Sequence, residues 1–309
     1  MTFEETYSNS NELRNRFRFL MEELKGKGDL EKMDHEDPFY GDFIATMKEL
    51  KELEIPFLDD FSKQNILKTF YPVIVFFTKY YDFLRTTEKT DTKEYDAIMT
   101  EMMLLLANSQ HEMLMIDAGE LMPFSIRHGF KEDDLVDKLK SLFLEPSVKY
   151  HSVLEEIFSR NLETGSTVNP EEIKELLTRQ MAKYDEILDL LATPGFDTDT
   201  SEESREALSK LYDELISIEQ TDVQQIFNSM LYQTFVSVRL FEEMVYSDNV
   251  ALLRGTAGPL KNRFTKMMDD MKYASEKYFT FRDEFLSTFC DRHGLDLKKA
   301  LNEVFKEID

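Results

Sequence analysis

The sequence predicts an all-α protein built as two tandem helical-bundle repeats, and three observations carry that expectation. First, Arg127-His128-Gly129-Phe130 recurs as Arg292-His293-Gly294-Leu295, 165 residues later. The same offset pairs Glu49-Leu50 with Glu214-Leu215, Thr69-Phe70 with Thr234-Phe235, Phe76 with Phe241, Tyr81 with Tyr246, Met102-Met103 with Met267-Met268 and Phe124 with Phe289. Second, the 309 residues include only 10 Gly and 8 Pro, a composition that favours long helices over strands and turns. Third, Leu260, Phe264, Met267, Met271, Ala274, Tyr278, Phe281 and Phe285 alternate spacings of four and three, a heptad seam. Self-similarity at a fixed offset sets the repeat boundaries. Repeat 1 covers 1–165 with a linking helix at 148–160, and repeat 2 covers 166–309.

The elements follow in order. Asn9-Ser10-Asn11 supplies capping residues for a first helix carrying Leu13, Phe17, Leu20, Met21 and Leu24, which stops near Gly26-Lys27-Gly28. A second helix carries Phe43, Met47, Leu50 and Leu53 and ends at Pro56, because proline lacks the amide hydrogen a helix needs. A third begins after Asp59-Asp60 and runs through Phe70 and Tyr80 to Leu84. Its β-branched centre also suits a strand, and the paired segment Thr234–Tyr246, with its clearer helical period, decides for helix. The fourth helix bears the seam, in repeat 1 as Tyr95, Met99, Met102, Leu106, Ser109, Met113, Ile116 and Glu120. Ser109 and Glu120 thus stand where repeat 2 has Ala274 and Phe285.

Both seam helices reach Arg-His-Gly-apolar, which reads as a helix stop. The cationic side chains favour the negative end of the helix dipole, and Gly129 or Gly294 takes the left-handed conformation just past the end. Fifth helices are expected at Asp133–Phe143 and Leu297–Ile308. After a Thr/Ser/Gly-rich connector at Asn161–Asn169, Pro170 opens the first helix of repeat 2, Glu171–Leu191, with Ile173, Leu177, Met181 and Tyr184 facing its core.

Charge and composition narrow the function. Sixty-one acidic residues against 37 basic ones give a net charge of −24. That argues against nucleic-acid binding, which needs clustered Lys and Arg to displace counterions, and favours a basic partner. The most apolar stretch, Phe70–Phe77, contains Pro72 and falls far short of the roughly 20 residues of a membrane span. With one cysteine, Cys290, and no basic-then-apolar N-terminal segment, the chain is expected to be cytoplasmic and free of disulfides.

Motifs for chemistry are few. Asp133-Asp134-Leu135-Val136-Asp137 resembles the DDxxD box with which all-α prenyl-diphosphate and terpene synthases hold magnesium, but Asp269-Asp270 lacks the residues their second metal motif requires. Ser109-Gln110-His111-Glu112-Met113 resembles the phosphoacceptor box of histidine-kinase dimerisation helices, without the basic residue and proline that follow there. No histidine has an acidic residue three positions before it, so the dimetal motif of helix bundles fails. No catalytic residue, metal or cofactor is therefore predicted. The expected function is that of an acidic helical adaptor, chaperone-like or inhibitory protein that binds a basic or apolar segment of a protein partner. The competing class is an all-α enzyme or small-ligand protein with a pocket in repeat 1. Candidate ligand- or partner-binding residues are Ser109, His111, Glu112, Asp117 and Glu120.

Overall fold

A computed structural model of the chain describes residues 2–87, 92–131, 134, 138, 170–196, 201–256 and 258–308, and every regular element among them is helical. The chain divides into two compact units. The first is Met1–Val148 with Glu242–Lys272, and the second is Lys149–Phe241 with Tyr273–Asp309.

The first unit opens with a helix that the sequence reading omits, α1 (Phe3–Asn9), held by a capping box: the Thr2 hydroxyl accepts from the Glu5 amide and the Glu5 carboxylate from the Thr2 amide. Next comes α2 (Asn11–Lys27), ended by Gly28 at φ 101°. Ser10 does not cap it; its hydroxyl donates to the Tyr7 carbonyl and accepts from Arg14 Nη1 at 2.8 Å. α3 (Pro38–Glu54) starts on Asp37, whose carboxylate accepts from the Phe39 amide at 2.8 Å. Phe17 and Leu20 of α2 pack against Phe39, Phe43 and Leu50 of α3. A single turn at Ile55–Phe57 absorbs Pro56, and α4 (Leu58–Thr86) then runs unbroken through Pro72 and packs along α5 (Thr92–Ile116). A π-helical turn, Asp117–Leu121, continues α5 directly into α6 (Met122–His128).

In the second unit α7 (Pro170–Leu191) packs on α8 (Glu202–Glu219), which is capped by the Ser201 hydroxyl. α9 (Val223–Leu253) enters the first unit at Glu242, and α10 (Leu260–Thr280) returns at Tyr273. A second π-helical turn, Phe281–Leu286, leads into α11 (Ser287–His293), and α12 (Leu297–Ile308) follows. Phe235 of α9 meets Tyr278 and Phe305 edge-on at 5.5 Å.

The π turns change which residues the seam buries. A heptad continued past Met113 puts Ile116 and Glu120 inward, and past Tyr278 it puts Phe281 and Phe285 inward. All four are only half-buried. Each π turn holds an extra residue, which rotates everything after it, and the buried positions become Leu121 and Phe124 in one helix and Arg282, Leu286 and Phe289 in the other. α7 keeps Tyr184 inward as expected but otherwise departs from its expected face. Leu176, Gln180, Tyr184 and Ile187 turn inward while Met181 is exposed. The linking helix 148–160, the junction near residue 165 and most of Asp133–Phe143, including Asp133 and Asp137 of the DDxxD box, lie outside the described residues.

Gly129 and Gly294 end α6 and α11 at φ 65° and 66°. The following amides, Phe130 and Leu295, reach back to the Ser125 and Cys290 carbonyls at 3.1 and 2.9 Å, the long bond of a Schellman stop. No atom lies within 4 Å of a Cβ added at either glycine, so a substitution is penalised through backbone conformation alone. Gly129→Val and Gly294→Val should each lower unfolding free energy by about 1 kcal/mol or more. Urea denaturation measures the loss; two unchanged midpoints would contradict the left-handed assignment.

Candidate functional site

The helix stops carry a second device that the sequence reading misses. Glu54 is the last residue of α3 and is fully buried. Arg127 donates to it through two nitrogens, Nε to Oε2 at 2.6 Å and Nη2 to Oε1 at 2.5 Å. His128 Nε2 lies 2.7 Å from Oε2. An ionised carboxylate only accepts, so the imidazole proton sits on Nε2. Phe17 and Phe124 flank the guanidinium, each ring centre 5.3 Å from its central carbon. Burial pushes the Glu54 pKa up, but the hydrogen bonds and charges of Arg127 and His128 outweigh it and hold the carboxyl below its ordinary 4.5.

The second unit has the same arrangement 165 residues on. Glu219 ends α8 and is fully buried, with Arg292 donating from Nη2 to Oε1 at 2.6 Å and from Nε to Oε2 at 3.1 Å. His293 Nε2 lies 2.8 Å from Oε2. Two residues of α7 join this cluster: Gln180 Nε2 donates to Oε1 at 2.9 Å, and the Tyr184 hydroxyl, 3.4 Å from Oε1, accepts from Arg292 Nη2 at 2.5 Å. Burial raises the Tyr184 phenol above its ordinary pKa, so it stays protonated near neutrality. These bonds explain why Gln180 and Tyr184 face inward on α7.

In both clusters each carboxylate oxygen is already bonded to the protein, so neither offers an open position to a reacting molecule. They are clamps that join two helix ends. Cys290, in the last turn of α11, is buried, and burial pushes its thiol up to about 11, which keeps it protonated and unreactive.

The predicted site residues do not form one site. Ser109 is buried on α5, whereas His111 and Glu112 are exposed. Asp117 and Glu120 are half-buried in the π turn. Glu120 Oε1 accepts from Lys68 Nζ of α4 at 2.5 Å, and Glu120 lines a small polar cavity beside Asn65 and Arg18. Among the described residues no three His, Cys, Asp or Glu side chains gather as a metal site would require, and no helix is long and apolar enough to cross a membrane. The signal that could have found the clamps was present: Glu54 and Glu219 are themselves identical at the offset that pairs the two Arg-His-Gly motifs.

No protein-family model, curated protein or solved structure matches this chain.

Removing the Glu54 charge leaves Arg127 buried without its counter-ion. Glu54→Gln should therefore destabilise the protein by about 3–5 kcal/mol at neutral pH. Because the folded-state pKa of Glu54 is depressed, its contribution is complete above 4.5 and is lost as pH falls through the lower folded value. Stability of Glu54→Gln should accordingly fall less than wild type on acidification below pH 4.5. Parallel acid titrations followed by circular dichroism, with equal slopes for both proteins, would contradict this.

Proposed function

We propose that the chain is a non-catalytic, acidic helical protein, of adaptor, chaperone-like or inhibitory kind, that binds a basic or apolar segment of a protein partner in the cytoplasm. The observation that carries this reading is a set of exposed apolar residues at helical spacing in the first unit. Leu67, Tyr71 and Ile74 follow one another at i, i+4 and i+7 on α4, and Tyr71 is 64% exposed. Met115, Met122 and Ile126 run along α5, the π turn and α6, each more than half exposed. α4 packs against both α5 and the π turn. Large exposed side chains repeated along packed helices are what a helical or extended segment would bury, and adaptable Met side chains suit such a surface. The net charge of −24 supports a basic partner, whose encounter it would accelerate.

In this reading the scaffold is a tandem duplication, repeat 1 over 1–165 and repeat 2 over 166–309. Its support is that the clamps and the glycine stops recur at one offset, with the π turns at matching places. A second reading, a small-ligand site in the first repeat, is supported by the polar cavity at Glu120.

Purification from the native source should yield a co-eluting protein, and the test is whether it leaves when the apolar set is charged. Tyr71→Asp with Ile126→Asp should weaken that partner at least tenfold, while both sites, being exposed, should change stability by only about 0.5 kcal/mol each. Association should slow as salt rises, because charge is screened beyond about 8–10 Å at physiological ionic strength. A partner that binds the doubly charged variant as tightly as wild type, with an on-rate flat in salt, would overturn the reading.

A further inference from the structure

The first unit contains a polar cavity of about 20 Å³ where α2 packs against the π turn. Its wall includes Arg14 and Arg18 of α2, Asn65 of α4, and Gly119 and Glu120 of the π turn, with the clamp residue Arg127 alongside. The charges around it do not cancel. Glu54 neutralises Arg127, and Lys68 neutralises Glu120. Arg14 donates to the uncharged Ser10 hydroxyl and stacks over Tyr7 at 3.8 Å. Arg18 is exposed, and its stem lies across Gly119, where an added Cβ would stand 3.1 Å from Arg18 Cδ. Among the described residues no carboxylate pairs with Arg14 or Arg18, so two positive charges remain at one spot of a chain whose net charge is −24.

Asn65 adds an independent observation. It is 1% exposed, and its Oδ1 has no hydrogen-bond partner among the described residues, a costly state for a buried amide. The helical framework does not require this polarity. At the positions 165 residues on, Met230 stands for Asn65 and Phe285 for Glu120. There Phe285 packs edge-on against Tyr184 at 5.1 Å. π-helical turns, moreover, are often found at functional sites.

We propose that this cavity binds an oxoanion, a phosphate or carboxylate group carried by a small ligand. Its volume admits one group of about the size of a water molecule. One anion oxygen therefore enters beside Asn65, while the rest of the group faces the Arg18 guanidinium. Arg14 and Arg18 supply charge-assisted hydrogen bonds. Asn65 completes the set, either by donating from Nδ2 after an amide flip or by accepting the hydroxyl proton of hydrogen phosphate. This site is separate from the apolar surface proposed to bind a partner, and either can fail without the other.

The test is titration calorimetry of the full chain with sodium phosphate and with sodium acetate, each against sodium chloride at matched ionic strength. Saturable binding of phosphate or of acetate is expected, and the stronger of the two identifies which group the ligand carries. Arg18→Ala should weaken it about tenfold or more, the effect of losing a charged hydrogen bond, with the circular dichroism spectrum unchanged. Asn65→Met, which copies residue 230, should abolish binding; should it fail to fold, Gly119→Ala, which displaces the Arg18 stem, tests the same wall. Phosphate and acetate heats no different from chloride, or an Arg18→Ala variant that binds as tightly as wild type, would overturn the proposal.

Discussion

Taking a carboxylate out of water costs several kcal/mol unless charge and hydrogen bonds are supplied in return, and Glu54 and Glu219 each receive both from two consecutive residues of one helix end. Each is the last residue of its own helix, α3 or α8, where the dipole disfavours negative charge. The carboxylates are therefore held against both burial and dipole by an arginine and a histidine that also sit at a helix C-terminus. That requirement accounts for the sharpness of the stops. α6 and α11 must end so that successive side chains reach the same carboxylate, and a glycine at positive φ turns the chain away directly afterwards.

The π turns sit one helical segment upstream of the clamps. Without the extra residue, the buried seam of α5 would reach Glu120 rather than Leu121 and Phe124. With it, Phe124 packs beside His128 at a ring distance of 4.8 Å, and Phe289 beside His293 at 4.6 Å. The residue displaced from each seam then differs between the units. In the second it is Phe285, which fills the space beside Tyr184. In the first it is Glu120, which turns to Lys68 and leaves the polar cavity open. One shift in helical register thus underlies both an apolar contact and a candidate ligand site.

Helix class, most helix ends and the glycine stops were legible in the sequence because they depend on local signals: apolar period, proline, capping residues and glycine after a basic pair. α12 matches its expected span, Leu297–Ile308. What was not legible is nonlocal. The partner of Arg127 and His128 lies more than 70 residues upstream. Glu54 follows Phe43, Met47 and Leu50 at spacings of four, three and four, but a carboxylate on that face at a helix end reads as solvated, although its identity with Glu219 at the common offset was available. The π turns broke the heptad reading at Glu120 and Phe285, since a one-residue bulge leaves no compositional trace. Asn65, on a buried face with Ser62 and Ile66, closes the polar run Ser62-Lys63-Gln64-Asn65, which gives no sign of its burial. On α7 the inward turn of Gln180 follows from Glu219, which the apolar pattern of that helix does not reveal.

The most direct measurement of the clamp is a double-mutant cycle between Glu54 and Arg127. Glu54→Leu, Arg127→Leu and the double variant are unfolded in urea beside wild type. If the pair holds the first unit as described, each single change strands a buried charge. The double change then costs less than the sum of the singles, by about 2–3 kcal/mol. Additivity within about 0.5 kcal/mol would show two independent side chains and would contradict the central role of the buried carboxylate.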